Sequence, residues 1–137
     1  MEHYVLDTNV LIASISDRSP HHWIWISLTQ SKEFVLCVTT DILEEYEEVI
    51  QRFYGTETAT IAMKVLDNLS NIKFITRYYR WHLIIADPDD DKFVDCAVAA
   101  QAQFIVSEDK HFNILKETSF PMVTAIKIDA FKLIMGK

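Results

Sequence analysis

Carboxylates are the side chains whose positions in this sequence suggest chemistry. Asp7 directly follows the apolar run Tyr4-Val5-Leu6 and precedes Thr8-Asn9. Asp109 repeats the pattern after Phe104-Ile105-Val106-Ser107, with Glu108 beside it as a second candidate. An acid between a strand and a helix can simply cap that helix. It can also sit at the carboxyl edge of a parallel sheet, where open α/β folds place their sites. Two acid-tipped strands in one small sheet favour a shared site.

Two further segments add acids. Glu44, Glu45, Glu47 and Glu48 share one predicted helix. At 100° per residue its apolar stripe is Ile42, Tyr46, Val49, Ile50 and Phe53. Glu44, Glu47 and Glu48 point away from that stripe, whereas Glu45 lies at its edge and faces the protein body. A carboxylate there is costly to desolvate without a partner. The run Asp87-Pro88-Asp89-Asp90-Asp91 opens another helix that also carries Asp95. Capping and a solvated acidic turn would explain much of the run. Asp91 and Asp95, however, share a face of a helix that is otherwise apolar nearly all round, which predicts a polar cavity or a cation beside them. Four or five converging carboxylates repel one another unless neutralised. They suit the hard ions Mg²⁺ and Mn²⁺, and such a centre suits phosphodiester hydrolysis.

The elements that must position these acids alternate along the chain. Strands are expected at Tyr4 to Leu6, Phe34 to Val38, Ile72 to Thr76, Phe104 to Ser107 and Met122 to Ile126. Helices are expected after Asp7, over His21 to Ser31, from Asp41 to about Phe53 closed by Gly55, over Thr56 to Ser70, from about Asp90 to Gln103, over Lys110 to Leu115 and over Ile128 to Met135. Strands separated by helices over the full length predict a single α/β domain, residues 1–137. Its architecture is a three-layer α/β/α sandwich around a mainly parallel sheet. Trp23 and Trp25 fall on different helical faces, which offers Trp25 as a dimer contact or a half-buried surface side chain.

Several function classes are excluded. The only glycines, Gly55 and Gly136, do not sit between a strand and a helix, so no phosphate-cradling loop or dinucleotide fingerprint exists. There is no Gly-x-Ser-x-Gly elbow. His3, His21, His22, His82 and His111 show no metal-ligand spacing, so each is expected to be structural or solvated. Cys37 and Cys96 lie in apolar segments and read as reduced core thiols. No apolar run could span a bilayer. The chain opens on a strand rather than a basic-then-apolar leader, so a cytoplasmic location is expected.

The formal charge is −7, from 20 acids and 13 bases. A nucleic-acid binder usually carries a basic face. Committing four acids to a cation leaves the remainder at about −3, which is still no strong footprint. Arg52, Arg77, Arg80, Lys92 and Lys110 are the candidate phosphate contacts, although a solvated surface role competes for each.

The motifs together resemble a known family. Asp7-Thr8-Asn9-Val10-Leu11 is similar to the opening motif of PIN-domain proteins, and Ile42-Leu43-Glu44-Glu45-Tyr46 to their second acidic motif. Asp87 to Ala97 resembles the third motif of members assigned to toxin–antitoxin pairs. Ile105-Val106-Ser107-Glu108-Asp109 resembles the fourth, with Ser107 in place of the more usual threonine. The resemblance runs essentially the whole length of the chain. It implies a catalytic, metal-holding set of Asp7, Glu45, Asp91 and Asp109, with Asp91 preferred over Asp89 and Asp90 by its spacing from Asp109. It implies Asp95 as an extra ligand or water-positioning acid, and Asn9, Thr8 and Ser107 as supporting residues. It further implies a Mg²⁺- or Mn²⁺-dependent RNA endonuclease leaving 5′-phosphate and 3′-hydroxyl ends, a cognate antitoxin and a homodimer. Two other readings compete: a PIN-fold binding module with little catalysis, and a metal-dependent phosphatase. The second is weakened because Asp7-Thr8-Asn9 lacks the second aspartate that many aspartyl phosphatases use.

Overall fold

The computed structural model describes residues 1–137. The strands are β1 (His3–Leu6), β2 (Val35–Val38), β3 (Ile72–Phe74), β4 (Phe104–Val106) and β5 (Ala125–Ile126). They form one sheet in the order β3-β2-β1-β4-β5, with every neighbouring pair parallel. The helices are α1 (Thr8–Ile15), α2 (His22–Thr29), α3 (Thr40–Tyr54), α4 (Thr56–Asp67), α5 (Asp91–Ala100) and α6 (Ile128–Ile134). A 3₁₀ turn, Pro88–Asp90, leads into α5, and a 3₁₀ helix, Lys110–Glu117, follows β4. The expected α/β architecture is the one observed. The last strand is shorter than expected, two residues rather than five, because Met122 is 83% exposed and its segment runs along the surface.

Strand order and burial explain each other. β1 lies at the centre, and Tyr4, Val5 and Leu6 are all buried, so both of its faces are covered. Parallel crossovers are right-handed. The helices that carry the chain outward from β1 to β3 therefore cover one face, and the return through α5 covers the other. α5 crosses β2, β1 and β4, and its Phe93, Val94, Cys96 and Ala97 are buried. At one end of the sheet Tyr4 packs against Phe34, Phe104 and Phe131, which docks α6 onto the core. Trp25 is half-buried against Ile12, Ile50, Ala59 and Ala62, so packing within the chain accounts for it. Both cysteines are free and buried, as expected. Burial pushes the Cys37 thiol up to about 11 and raises Cys96 further still. No helix is long and apolar enough to cross a membrane.

Local signals set the elements that reach the site. The Thr39 hydroxyl accepts from the Ile42 amide at the start of α3, and the chain turns from α3 into α4 at Gly55, where φ is +93°. α5 stops at Gln101 in a left-handed conformation. The parallel register sets Leu6 beside Val106 and Val38 beside Phe74, so four strand ends share one edge.

Candidate active site

Asp7 and Asp109 meet at the carboxyl edge, as their place after β1 and β4 suggests. The link between them is Ser107. Its hydroxyl donates to Asp7 Oδ2 at 2.7 Å and accepts from the Asp109 amide at 2.9 Å. Asp7 occupies the capping position of α1, yet its side chain makes no capping hydrogen bond, so capping does not explain it. Asp109 does cap the 3₁₀ helix, through the His111 amide at 2.9 Å. Glu108 points elsewhere and accepts from the Ile128 amide, tethering α6. Burial is the main cause that raises the Asp7 pKa, with the charges of Asp109 and Glu45 adding to it. The Ser107 hydroxyl and the Thr8 amide oppose that rise.

Glu45 faces the protein body from α3, as helical geometry requires. Its neighbour Tyr46 is buried and donates to the Leu6 carbonyl at 2.5 Å, which fixes α3 over the end of β1. One Glu45 oxygen accepts from the Thr8 hydroxyl, and the other lies 2.8 Å from Lys92 Nζ. Lys92 is nearly buried and also donates to the Asp89 carbonyl. The partner that Glu45 requires is therefore largely a lysine from α5, a pairing the sequence reading did not anticipate.

The acids at the start of α5 have two different surroundings. Asp90, not Asp91, is the member of the acidic run that is set against Asp7. Asp90 is 9% exposed, and its pKa is pushed up to about 6. Burial is the largest cause, followed by the charges of Asp7 and Asp87, with Asp109 contributing less and His111 opposing. Asp91 turns the other way. Its Oδ1 accepts from the Ile84 amide at 2.7 Å, and Oδ2 lies 3.8 Å from His82. Asp95 is buried too, but its oxygens face the Trp81 amide at 3.0 Å and Arg77 Nε at 3.3 Å. The Arg77 contact pairs the charges without the alignment of a hydrogen bond. The cation beside Asp95 is an arginine of this chain. The physical reason is the junction itself, where Asp90 ends a 3₁₀ turn and Asp91 starts an α-helix. Successive side chains there diverge by 100° or more.

His111 is the residue that sequence spacing missed. Its Nδ1 lies 3.4 Å from Asp90 Oδ2, 3.3 Å from Asp109 Oδ1 and 4.0 Å from Asp87 Oδ2. Asp87, Asp90 and His111 could each offer one atom to a single ion. The one signal available was that His111 stands two residues after Asp109. Among the supporting residues, Thr8 and Ser107 make the contacts just described. Asn9 is exposed.

Asp87, Asp90 and His111 are the donors close enough to share one ion, and Asp7 and Asp109 flank them. Three carboxylates, from Asp7, Asp90 and Asp109, approach from the ends of β1 and β4 and the entry to α5. Burial first, and then the neighbouring carboxylates, raise the pKa values of Asp7 and Asp90; hydrogen bonds from Ser107 and Thr8 at Asp7 and from His111 at Asp90 oppose the rise. Oxygen donors in excess of local cations are what Mg²⁺ and Mn²⁺ bind.

Comparison with known proteins places this acid-edged parallel sheet in a family. The family model described as PIN domain matches residues 3–111. The chain belongs to the PIN-domain family. No curated protein matches it by sequence. Among solved structures, VapBC2 from Rickettsia felis bound to a DNA fragment from its promoter is similar, with a TM-score of 0.62 and 16% identity over 91% of this chain and 98% of that one. DNA-bound VapBC from Salmonella typhimurium has a TM-score of 0.56 and 16% identity over 93% and 98%. The PIN domain endonuclease Utp24 has a TM-score of 0.52 and 13% identity over 91% and 84%. At these identities the likeness is one of fold.

Proposed function

We propose that this chain is a divalent-metal-dependent RNA endonuclease acting as the toxin of a toxin–antitoxin pair. The observation that carries this reading is the convergence of Asp7, Asp90 and Asp109, with too little positive charge from the chain itself to balance them. Family membership supports nuclease chemistry. Fold similarity to VapBC proteins supports an antitoxin partner, and a homodimer belongs to the same reading.

Asp7, Asp90 and Asp109 would hold Mg²⁺ or Mn²⁺, with Asp87 and His111 within reach of the same ion. When bound, such an ion supplies an activated water and neutralises charge on the leaving oxygen. The chain's own groups set the stage. Ser107 orients Asp7 and Asp109 together, and the Thr8 hydroxyl orients Glu45. The Glu45–Lys92 pair ties α3 to α5 beside the acids. His111 Nδ1 lies against Asp90 and Asp109, beside the same ion site. A catalytically weak binding module is the second reading. The saturation of Glu45 by Lys92 and Thr8 favours it, because that acid has no oxygen without a partner.

The test is cleavage of defined single-stranded RNAs with Mn²⁺ or Mg²⁺, with end-group analysis. Asp7→Asn and Asp90→Asn should each lower the rate by at least about 100-fold while far-ultraviolet circular dichroism stays native. Cleavage by Asp7→Asn at the wild-type rate would sink the assignment.

A further inference from the structure

The segment from Arg77 to Ile84 leaves β3 and runs across the carboxyl edge before reaching α5. It is fixed from beneath by the two aspartates that do not join the acidic cluster. Asp95 holds the Trp81 amide and Arg77, and Asp91 holds the Ile84 amide. Arg77 is also bound to Asp41 at 3.0 Å, which pins the segment to the start of α3. Arg77 and the Trp81 and Ile84 amides are thus tied to Asp41, Asp91 and Asp95.

This segment presents aromatic rings to solvent. Tyr78 is 91% exposed and Tyr79 64%; Phe120, from the loop before β5, is 79% exposed. Tyr79 and Trp81 have ring centroids 4.5 Å apart, and Trp81 meets Phe120 edge-on at 5.6 Å. The Tyr79 and Trp81 rings are tilted by 58° to one another, and Arg80, between them in sequence, is exposed and forms no ion pair. Of the five candidate phosphate contacts, Arg52, Arg77 and Lys92 are paired with acids, which leaves Arg80 and Lys110. Arg80 also lines an open polar cavity of 340 Å³ with Thr39, Thr40, Thr76 and Arg77 and the acids Asp41 and Glu44.

We infer that Tyr79, Arg80, Trp81 and Phe120 form a base-stacking platform that seats single-stranded RNA beside the acidic centre. The inference rests on the reading that the chain acts on RNA, and adds how a −7 chain can hold it. A chain with two free cations among its candidate contacts gains little affinity from phosphate neutralisation. Stacking supplies affinity without charge, because every base has a π-face, and Arg guanidinium planes join the same stack. Aromatic rings interleaved with an unpaired arginine complement bases and phosphate together, whereas an apolar protein surface would leave Arg80 without a counter-charge. Bases in a duplex are stacked on one another, so the platform selects single strands.

Binding of a fluorescein-labelled 12-mer oligoribonucleotide, followed by anisotropy in EDTA so that no cleavage occurs, tests this directly. Tyr79→Ala and Trp81→Ala should each weaken binding by roughly 5- to 100-fold, while Trp81→Phe stays within about threefold of wild type. Tyr79 is exposed, so its variant keeps the test valid if Trp81→Ala perturbs the fold. Arg80→Gln should reduce the salt slope of log affinity by about 0.7. A blunt-ended RNA duplex should bind wild type and variants alike. Unchanged single-strand affinity in both alanine variants would overturn the platform, and is also the result expected if these rings dock a protein. Failure of the nuclease reading would look different. Wild type would bind the 12-mer through these rings yet cut no RNA with any divalent ion. Conversely, wild-type cleavage with an unchanged KM in Tyr79→Ala and Trp81→Ala would sink the platform and spare the nuclease.

Discussion

Asp90 and Asp91 are adjacent, comparably buried, and surrounded by opposite environments. Asp90 meets Asp7, Asp87 and Asp109, with one imidazole for the four of them. Asp91 meets a backbone amide, and one turn later Asp95 meets another amide and the guanidinium of Arg77. Burial raises the pKa of both Asp90 and Asp95, so burial does not distinguish them. Partner supply does. Where the chain provides amides and arginine, an aspartate is a structural tether. Where it provides more carboxylates, the missing charge must come from outside.

The comparison breaks most visibly if the two neighbours are interchangeable. Mn²⁺ binding followed by titration calorimetry should be weakened by at least about tenfold in Asp90→Asn. Asp91→Asn should leave the metal affinity within about threefold and lower stability by about 1–3 kcal/mol, because the Ile84 amide keeps only a neutral acceptor. Equal loss of Mn²⁺ binding in both variants would restore Asp91 to the centre.

The Asp95 side of the comparison predicts a folding effect. Arg77→Met leaves Asp95 buried beside Asp91 without a cation. Urea denaturation should show a loss of about 3–5 kcal/mol, partly recovered in the Arg77→Met, Asp95→Asn double variant. A loss below about 1 kcal/mol would mean that the pair carries little of the anchoring.

A smaller effect concerns pH. An unfolded aspartate titrates near 3.9, and folded Asp90 at about 6. Between these values the folded protein holds a proton that the unfolded chain has released. Stability of the metal-free protein therefore falls as pH rises from about 4 through 6, and the penalty stays constant above that. Asp90→Asn should raise the melting temperature by a few degrees at pH 7.5 and lose that advantage below about pH 4. Saturating Mn²⁺ should stabilise wild type more than the variant. A variant melting below wild type at pH 7.5 without metal would show that the His111 contact outweighs the repulsion.

The sequence by itself determined what depends on neighbours along the chain. Apolar runs and their periodicity gave the order of strands and helices. The polar break after Leu6 placed Asp7 at the sheet edge, and the break after Val106 placed Asp109 there. Helical rotation singled out Glu45 from four glutamates. Each of these is a short-range property, carried by backbone geometry and the burial of one face.

Only the tertiary structure decided which charges meet. Ser107 and Asp7 are 100 residues apart, Lys92 reaches Glu45 across two helices, and Trp81 returns to Asp95 over 14 residues. Asp91 seemed the better acid by spacing, and its shared face with Asp95 is real. That face turned out to receive Arg77 and two amides, which periodicity could not supply. At the 3₁₀-to-α junction one residue of advance redirects a carboxylate by a third of a turn. Sequence can therefore name the acidic run but not the member that faces Asp7.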